Sequence, residues 1–395
     1  MSVKRRTSCR ACGGESLTQY LDLGVQAPAN ALRPPLSREP EFEAPLSVSW
    51  CADCGLSQLD HVVDPKILYA DYPFRAGTSQ LWRQHCVGLM NAVVEKSHKG
   101  FLLDIGSNDG ALLEEAHLRG FKVLGIDPSD TGNAKIPMLE RFWNTDTAKE
   151  VTKCFRQADV ITATNVFGHV DDAGDFLEGV AIALRPNGIA IIECPHILPL
   201  LENVAFDTIY HEHLSYWSLR PLELLAERVG LKVVDVRMFP ELHGGTMRYT
   251  LKPGEAKPSP GVAGVRILEN ALYLRGLEPY REFTIKARDK IAALRNTLTA
   301  ERRAGKRVWG YGANAKGAVF LQAAGLSEVT LERVVDDCAA KHGFLMPGTG
   351  IPITNANALA EPDILVLLSW NNAKDLQVKA AQRGFAGQFV LPSAA

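Results

Sequence analysis

Long apolar runs, strong charge of one sign and a hydrophobic leader are all absent from this sequence. None of its apolar runs is long enough to span a bilayer. The 395 residues include 43 Lys and Arg and 45 Asp and Glu, a net charge of −2. This balance gives no electrostatic reason to expect nucleic acid or membrane as a partner. The basic start, MSVKRRTSCRACGG, lacks the apolar core of a secretory signal, so we expect a cytoplasmic protein.

Disulfides are not expected either, because cysteines stay reduced in the cytoplasm. Four of the eight cysteines form two CxxC pairs, Cys9-x-x-Cys12 and Cys51-x-x-Cys54, each followed by glycine. A CxxC turn presents two thiolates on one side of a tight loop, and two such turns complete a tetrahedral site. We predict a structural Zn²⁺ site with no open position for chemistry. An iron–sulfur centre or a redox pair is the alternative.

Short apolar runs alternate with helical stretches through the rest of the chain, which predicts an α/β fold. Buried parallel strands are expected at 100–105, 122–126, 160–164 and 188–194, with helices such as 111–118 and 175–184 between them. An antiparallel pair, 231–238 and 246–251, is expected at the sheet edge. A linker at 252–261 and a long helix at 262–303 then precede a second α/β unit with strands at 307–312, 331–335 and 363–368. The predicted domains are therefore 1–70, 71–253 and 254–395.

A glycine-bearing turn, Asp104-Ile105-Gly106-Ser107-Asn108-Asp109-Gly110, joins the first buried strand to its helix. Such a turn at the carboxyl ends of parallel strands is a nucleotide-binding feature, and Asp127 follows at the distance typical of an acid that binds a ribose. A nicotinamide cofactor is one interpretation. However, the turn lacks the GxGxxG pattern. Its acids Asp104 and Asp109 would repel phosphates but suit a cationic ligand. The turn resembles the first motif of class I methyltransferases, which predicts S-adenosylmethionine as cofactor. The predicted cofactor-binding residues are Asp104, Gly106, Asn108, Asp109, Gly110, Asp127, Pro128 and Asn165.

Four adjacent ionisable residues, Tyr210-His211-Glu212-His213, follow the fourth strand. Two histidines at i and i+2 suggest a metal site, but no third ligand is evident. A purely structural cluster is a second alternative, and acid–base chemistry is the interpretation that we favour. In an extended segment, His211 and His213 would share one face, with Tyr210 and Glu212 on the other.

Together, DIGSNDG, TIYHEHLSYWS, HGGTMR and WGYGANAKG behind two CxxC pairs resemble the sugar C-methyltransferase family. The resemblance covers essentially the whole chain. It implies a zinc-binding module, a class I methyltransferase Rossmann-like domain and a C-terminal Rossmann-like domain, in that order. Better-known members methylate ketosugars linked to a nucleoside diphosphate, in deoxysugar biosynthesis for antibiotics. This sequence has Asp104 and Asp127 where the family often has Glu.

The resemblance also implies roles for individual residues. His213 is the expected general base, with Tyr210, Glu212 and His211 beside it and His169 as a further active-site residue. A tyrosine within 71–74, Tyr72, matches a family position ahead of the methyltransferase domain. The base would remove a proton next to a ketone, and the enolate would attack the methyl group on sulfur. Tyr210 or His169 would stabilise the enolate oxygen.

The C-terminal loop Gly310-Tyr311-Gly312-Ala313-Asn314-Ala315-Lys316 is longer than a dinucleotide fingerprint. By the resemblance, this loop holds the diphosphate of a sugar nucleotide. The expected substrate-binding residues are Tyr72, His243, Arg248, Tyr311, Asn314 and Lys316. The alternatives are an NAD-dependent dehydrogenase that uses this loop, or a non-catalytic zinc-bearing binding protein. A small-molecule partner is expected, and the sequence leaves the oligomeric state open, with a monomer as one possibility.

Overall fold

The computed structural model describes residues 2–37, 39–69, 76–97, 99–129, 135–240, 242 and 244–392. Three groups of strands organise the chain. Within the described residues, no helix has the length and apolarity needed to cross a bilayer.

The N-terminal module is built on antiparallel strands. Its elements are β1 (Val3–Arg5), β2 (Leu17–Gln26), β3 (Ala44–Cys51), β4 (Ser57–Leu59), β5 (His61–Val63) and α1 (Pro65–Tyr69). Strands β2, β3 and β4 form one sheet, and β1 pairs with β5. Strands β2 and β3 occupy much of the stretch between the CxxC pairs, which carried no clear period in the sequence. Their inward side chains are buried against both other parts of the chain.

The middle of the chain forms a seven-stranded sheet with helices on both faces. Its elements are α2 (Gln80–Lys96), β6 (Phe101–Ile105), α3 (Ala111–Leu118), β7 (Lys122–Asp127), β8 (Met138–Glu140), α4 (Thr145–Cys154), β9 (Ala158–Thr164), α5 (Ala173–Ala183), β10 (Leu184–Pro195), α6 (Ile197–Glu202), β11 (Ser215–Tyr216), α7 (Leu219–Arg228), β12 (Leu231–Phe239) and β13 (Thr246–Pro253). Strand β11 is the exception, because it joins β4 of the N-terminal module.

The strand order of this sheet is β12-β13-β10-β9-β6-β7-β8, with only β13 antiparallel to its neighbours. The predicted antiparallel pair does lie at the edge, and the Rossmann-like sheet is confirmed. Strands β6, β9 and most of β10 are buried along their length, which explains their continuous apolar runs.

The C-terminal part is a second, smaller parallel sheet preceded by two helices. Its elements are α8 (Pro260–Ala271), α9 (Glu278–Arg303), β14 (Val308–Tyr311), α10 (Ala315–Ala323), β15 (Val334–Val335), β16 (Ile353–Thr354), β17 (Ile364–Leu367), α11 (Ala373–Gln382) and β18 (Gln388–Val390). The strand order is β16-β15-β14-β17-β18, all parallel, as expected for a Rossmann-like unit.

The single long helix predicted at 262–303 is wrong, because the chain breaks between α8 and α9. Tyr273 has a positive φ of 54°, which an α-helix does not allow, and Gly276 follows. A proline then lies in the first turn of α9. Apolar periodicity on both sides of the break concealed it in the sequence. The break lets Tyr280 turn inward, where its ring lies 5.1 Å from that of Tyr20 in β2.

Candidate active site

Four thiol groups meet in the N-terminal module. The Sγ atoms of Cys9, Cys12, Cys51 and Cys54 lie within 4.8 Å of one another, and the Cys9–Cys54 and Cys12–Cys51 pairs are 3.5 Å apart. Zinc with Zn–S bonds of ~2.3 Å needs Sγ separations of ~3.8 Å, so the donor set fits zinc. Backbone N–H groups of Cys12 and Gly14 point at these sulfurs, which favours thiolates. The predicted four-cysteine site is confirmed. With four thiolate ligands, the site has no open coordination position for a substrate.

The turn at residues 104–110, here called the glycine turn, has an unusual backbone. Gly106, Asn108 and Gly110 have φ values of 71°, 48° and 79°, in the region that favours glycine and asparagine. A Cβ at Gly106 would come within 2.9 Å of Val166, so the turn packs on the loop after β9. Asn165 in that loop also has a positive φ. Because β6 and β9 flank the point where the strand order reverses, the turn lies where such sheets bind ligands.

Two acids fix the shape of the glycine turn from beneath. Asp104 is buried and accepts a hydrogen bond of 2.7 Å from the Thr162 hydroxyl. Burial raises the pKa of Asp104 to about 7, although the Thr162 bond opposes this. Asp127 accepts the backbone N–H groups of Asn108 at 2.8 Å and Ser129 at 2.9 Å. A buried acid with a pKa near 7 would ionise more readily beside a bound cation.

A third acid connects the glycine turn to the chain ahead of α2. Asp109 Oδ2 accepts the backbone N–H of Gly77 at 2.9 Å. Its Oδ1 and the Ser107 hydroxyl are buried and have no hydrogen-bond partner within the described ranges. Pro128 follows directly after β7 and is half-buried. Acidic side chains that can still accept hydrogen bonds therefore lie where the strand order reverses. They fit S-adenosylmethionine, which carries positive charge and no phosphate.

Three aromatic side chains meet next to the glycine turn. Residues 210–213, here called the histidine turn, are closed by a bond of 2.8 Å from the His213 N–H to the Tyr210 carbonyl. The His213 ring centroid lies 3.9 Å from that of Tyr210 and 4.9 Å from that of His169, nearly perpendicular to the latter. His169 ends a 3-10 turn that starts just after Val166, the residue packed on Gly106. One short loop therefore adjoins both the glycine turn and the histidine turn.

The contacts of the two rings determine their proton positions. His213 Nδ1 lies 2.8 Å from the Thr208 carbonyl oxygen, which can only accept, so Nδ1 donates. The neutral ring then has its lone pair on Nε2. His169 Nδ1 lies 3.2 Å from the Tyr69 hydroxyl, and burial lowers the pKa of His169 to about 4. A basic nitrogen beside a neutral imidazole is an arrangement suited to proton abstraction.

His211 and Glu212 point away from His213, into the N-terminal module. His211 donates to the Ala44 carbonyl at 3.2 Å, and burial lowers its pKa. Glu212 accepts a bond of 3.0 Å from the Asn30 amide, and burial raises its pKa to about 7. Because the segment is a turn and not extended, Tyr210 shares a side with His213, and His211 does not. His211 and Glu212 therefore both contact the N-terminal module.

A buried ion-pair cluster beside the site was missed from the sequence. Glu193, at the end of β10, accepts from His85 at 2.6 Å and from Arg248 at 2.5 Å. Burial would raise the pKa of Glu193, but the His85 bond and the Arg248 charge hold it below its usual range. Arg248, predicted to bind substrate, is thus bonded to Glu193 and stacked on the Phe239 ring. In the sequence, only the single glutamate near the end of an apolar strand indicated this cluster. Nothing in the sequence around His85 indicated that it bonds Glu193.

Lys316 lies at the switch point of the C-terminal sheet, between β14 and β17. Its Nζ is 4.5 Å from the Trp370 ring centroid and, in the part of the chain described, has no hydrogen-bond partner. Burial lowers the pKa of Lys316, opposed by the charge of Asp207. Trp370 Nε1 donates to Asp207 at 2.5 Å, and a Cβ at Gly244 would lie 3.5 Å from Lys316 Nζ. The C-terminal crevice therefore faces the segment that leads into the histidine turn.

Asn314 and Tyr311, unlike Lys316, have side chains that are hydrogen-bonded within the C-terminal part of the chain. Asn314 caps α10, because its Oδ1 accepts the Gly317 N–H at 2.8 Å. The Tyr311 hydroxyl lies between Asp337 at 3.0 Å and Arg383 at 2.6 Å. Tyr311 packs with the cluster on the other face of β14 from α10. The structure thus brings only Lys316 of these residues into the crevice as an unbonded group.

The C-terminal glycine loop is bonded to its own sheet. Asp336, at the position of a ribose-binding acid, accepts the Ala313 N–H at 2.7 Å. Lys341 donates to the Ala313 carbonyl at 2.7 Å. Asp336 therefore fixes the shape of this loop, as Asp127 fixes the shape of the glycine turn. Tyr72 and His243, both predicted to bind substrate, lie outside the described residues; Tyr69 is the described tyrosine that reaches His169.

Comparisons with known proteins agree along the whole chain. Three family models match in order: a putative zinc binding domain at 9–69, a methyltransferase domain at 85–236 and a C-methyltransferase C-terminal domain at 241–393. The C-methyltransferase NovU of Streptomyces niveus is 32% identical over 409 aligned residues, which cover 99% of this chain and 96% of that protein.

Two further matches cover only part of the chain. A ubiquinone biosynthesis O-methyltransferase of Rhodopseudomonas palustris is 35% identical over 97 residues, 23% of this chain and 38% of that protein. A solved S-adenosylmethionine-dependent methyltransferase from Clostridium acetobutylicum is 14% identical, with a TM-score of 0.36, and covers 48% of this chain and 96% of that one.

Proposed function

Because this chain belongs to the C-methyltransferase family, we propose that it methylates a nucleotide-linked ketosugar at the carbon next to the ketone. Family membership confirms three predictions: an S-adenosylmethionine-dependent C-methyltransferase, a class I methyltransferase domain and a zinc-binding module. The acceptor and the mechanism are the proposal. Its support comes from the histidine turn and from the crevice of the C-terminal sheet.

The proton position of His213 is the observation that carries the mechanism. Its Nδ1–H bond to Thr208 leaves the lone pair of the neutral ring on Nε2, as a general base requires. The neighbouring His169 is kept neutral by burial, so it does not repel a proton arriving on His213. Carbon methylation needs such a base, because a C–H carbon is not nucleophilic until its proton is removed.

We assign the following steps to this chain's own groups. His213 Nε2 takes the proton from the carbon adjacent to the ketone, and the C–H electron pair becomes the enolate. With the Tyr69 hydroxyl donating to His169 Nδ1, His169 presents its Nε2–H to the enolate oxygen, and the Tyr210 hydroxyl is the second candidate donor. Bound S-adenosylmethionine supplies the electrophilic methyl group. The glycine turn and the loop after β9 hold the two reactants in one crevice.

Lys316 supports a nucleotide-linked acceptor. An ammonium group that is buried, stacked on an indole and without a hydrogen bond within the described residues is an energetically costly arrangement. A diphosphate would provide the missing acceptors. The Trp370 ring lies over this lysine and donates to Asp207, the residue before Thr208. Because Thr208 accepts the hydrogen bond of His213, a diphosphate at Lys316 would lie near the base. This geometry suits a sugar attached to a nucleotide.

Deuterium exchange separates deprotonation from methyl transfer and so tests the mechanism. A panel of dTDP- and GDP-4-ketosugars in D₂O, without the methyl donor, should exchange the proton next to the ketone in the presence of wild-type enzyme. His213→Asn keeps an amide donor for the Thr208 carbonyl but cannot accept a proton. We expect exchange and methylation both to fall by about 10²–10⁴-fold, with S-adenosylmethionine binding unchanged. NMR measures the exchange, and mass spectrometry measures the methylated product.

Two results would overturn the proposal in different places. His213→Asn activity within a few-fold of wild type would remove His213 as the base. Methylation of a carbonyl compound without a nucleotide, together with no turnover across the panel, would keep the base and reject the nucleotide-linked acceptor. His117→Asn is the matched control, because His117 lies in the last turn of α3 and has no assigned role.

A further inference from the structure

Arg10 lies inside the first zinc knuckle, between Cys9 and Cys12. Its side chain is completely buried, although the neighbouring Arg5 and many other arginines of this chain lie at the surface. An arginine is rarely buried unless its guanidinium is bonded, because removing the charge from water is costly. The partners of Arg10 therefore indicate what it does.

Those partners belong to the two loops that carry the active-site histidines. Arg10 Nη1 donates to the Leu214 carbonyl at 3.2 Å, and Leu214 follows His213. Arg10 Nε donates to Asp171 Oδ1 at 3.2 Å, and Asp171 lies two residues after His169. One guanidinium thus bridges the loop of each histidine. Its Nη1 also bonds the Leu59 carbonyl at 2.8 Å, in the sheet that pairs with β11.

We propose that Arg10 is a positioning residue, and that the zinc module serves as the scaffold that sets the spacing of His213 and His169. The inference rests on the proposed function of those two histidines. The rigid planar guanidinium can hold both acceptors at once, which a single-point donor cannot do. The four thiolates fix the backbone on both sides of Arg10, so the zinc site defines where the guanidinium lies. The histidine turn is further held by Asn30 and Ala44 of the same module.

Arg10 is not needed to complete a simple salt bridge. Arg6 Nη1 already pairs with Asp171 at 2.9 Å, and Arg10 Nη2 is buried without a hydrogen-bond partner in the described ranges. Neutralising Asp171 therefore does not by itself account for a second, fully buried guanidinium. A fixed separation of the two histidine loops, by contrast, requires the contacts that Arg10 does make.

Arg10→Met tests the proposal, with Arg228→Met as the matched control. Arg228 donates to the Ala11 and Cys12 carbonyls of the same knuckle, and within the described residues it has no hydrogen bond to either histidine loop. For Arg10→Met we expect kcat to fall about 10²-fold, as when reacting groups shift by about 1 Å. Zinc content, S-adenosylmethionine affinity and KM should stay within about 3-fold of wild type. A change of that size corresponds to less than 1.4 kcal/mol, the free energy of a tenfold change.

Hydrogen–deuterium exchange gives a readout that needs no acceptor. In Arg10→Met, the amides of residues 167–171 and 208–215 should exchange faster, while those of the glycine turn should not. Arg228→Met should change neither set. If the acceptor or the base were assigned wrongly, turnover would fail to report but the exchange pattern would still appear. Unchanged exchange in both segments, with zinc retained, would overturn the positioning role.

Arg10→Lys covers the case in which Arg10→Met does not fold. Lysine keeps a positive charge beside Asp171, but one ammonium cannot span the two acceptors. We expect a folded protein with full zinc and a kcat lowered at least about 10-fold, a change equivalent to 1.4 kcal/mol. Wild-type kcat and wild-type exchange in Arg10→Lys would show that the bridge is not required.

Discussion

Replacing Glu212 with Gln should stabilise this protein at alkaline pH. The carboxyl group is only 1% exposed, and its partner is the neutral Asn30 amide. Burial raises its pKa from an ordinary 4.5 to about 7. Glutamine has the same shape and can still accept the Asn30 bond. It cannot ionise, so it removes the cost of burying a carboxylate without removing the contact.

The sign follows from proton uptake in the two states. Between pH 4.5 and about 7, the unfolded chain has lost the proton while the folded chain keeps it, so the stability of the wild type falls as pH rises through this window. Above the folded pKa the penalty is constant. A rise of the Glu212 pKa from 4.5 to about 7 lowers the free energy of unfolding by about 1 kcal/mol at pH 5 and about 3 kcal/mol at pH 8. Glu212→Gln should recover that difference.

Urea unfolding of both proteins at pH 5 and pH 8 measures the prediction. The gain in unfolding free energy of Glu212→Gln over wild type should be about 2 kcal/mol larger at pH 8 than at pH 5. Glu255→Gln is the control, because the Glu255 side chain is 95% exposed and should show no such dependence. If Glu212→Gln has the same pH dependence as Glu255→Gln, the carboxyl is not desolvated. If it is less stable at pH 8, the ionised form makes a contact that the structure lacks.

Two further variants test the ligand sites. Gly106→Ala should weaken S-adenosylmethionine binding at least about 10-fold and destabilise the fold by more than the ~1–2 kcal/mol of a left-handed alanine, because its Cβ would lie 2.9 Å from Val166. Gly24→Ala has a similar φ of 78° and no neighbour within 4 Å, so equal effects in titration calorimetry and unfolding would refute the contact argument. Lys316→Met should weaken dTDP binding about 10-fold or more through loss of a charged hydrogen bond, without loss of S-adenosylmethionine binding; unchanged dTDP affinity would remove Lys316 from the nucleotide site.

Local sequence features predicted the glycine turn well. The strand from 101 to 105, the turn at Gly106 and Gly110 and the helix after it all depend on neighbouring residues. The acid at Asp127 was placed by its spacing alone, and it does bond the turn through Asn108. A βα unit is a local structure, so its residues specify most of its geometry. Neither the cysteine spacing nor these turns required knowledge of distant contacts.

The histidine turn could be found in the sequence but not oriented. Four consecutive ionisable residues indicate a candidate active site. However, the side on which each side chain lies depends on whether the segment is extended or forms a turn. The deciding interactions come from far along the chain: Ala44 for His211, Asn30 for Glu212 and Arg10 for Leu214. A period-2 argument therefore placed His211 with His213, whereas the turn places Tyr210 there.

Unbonded polar atoms lie close to one hydrogen bond, that of His213 to Thr208. Asp207 precedes Thr208 and has a buried carboxylate oxygen without a partner in the described part of the chain, and Lys316 Nζ, near Asp207, is a second buried polar atom of this kind. Each costs about 1–3 kcal/mol, and apolar residues of similar shape would avoid that cost. Their retention is understandable if a bound ligand supplies partners. Binding energy from a nucleotide held at Lys316 would then stabilise the loop that holds the base, so that a truncated acceptor would lose kcat as well as affinity.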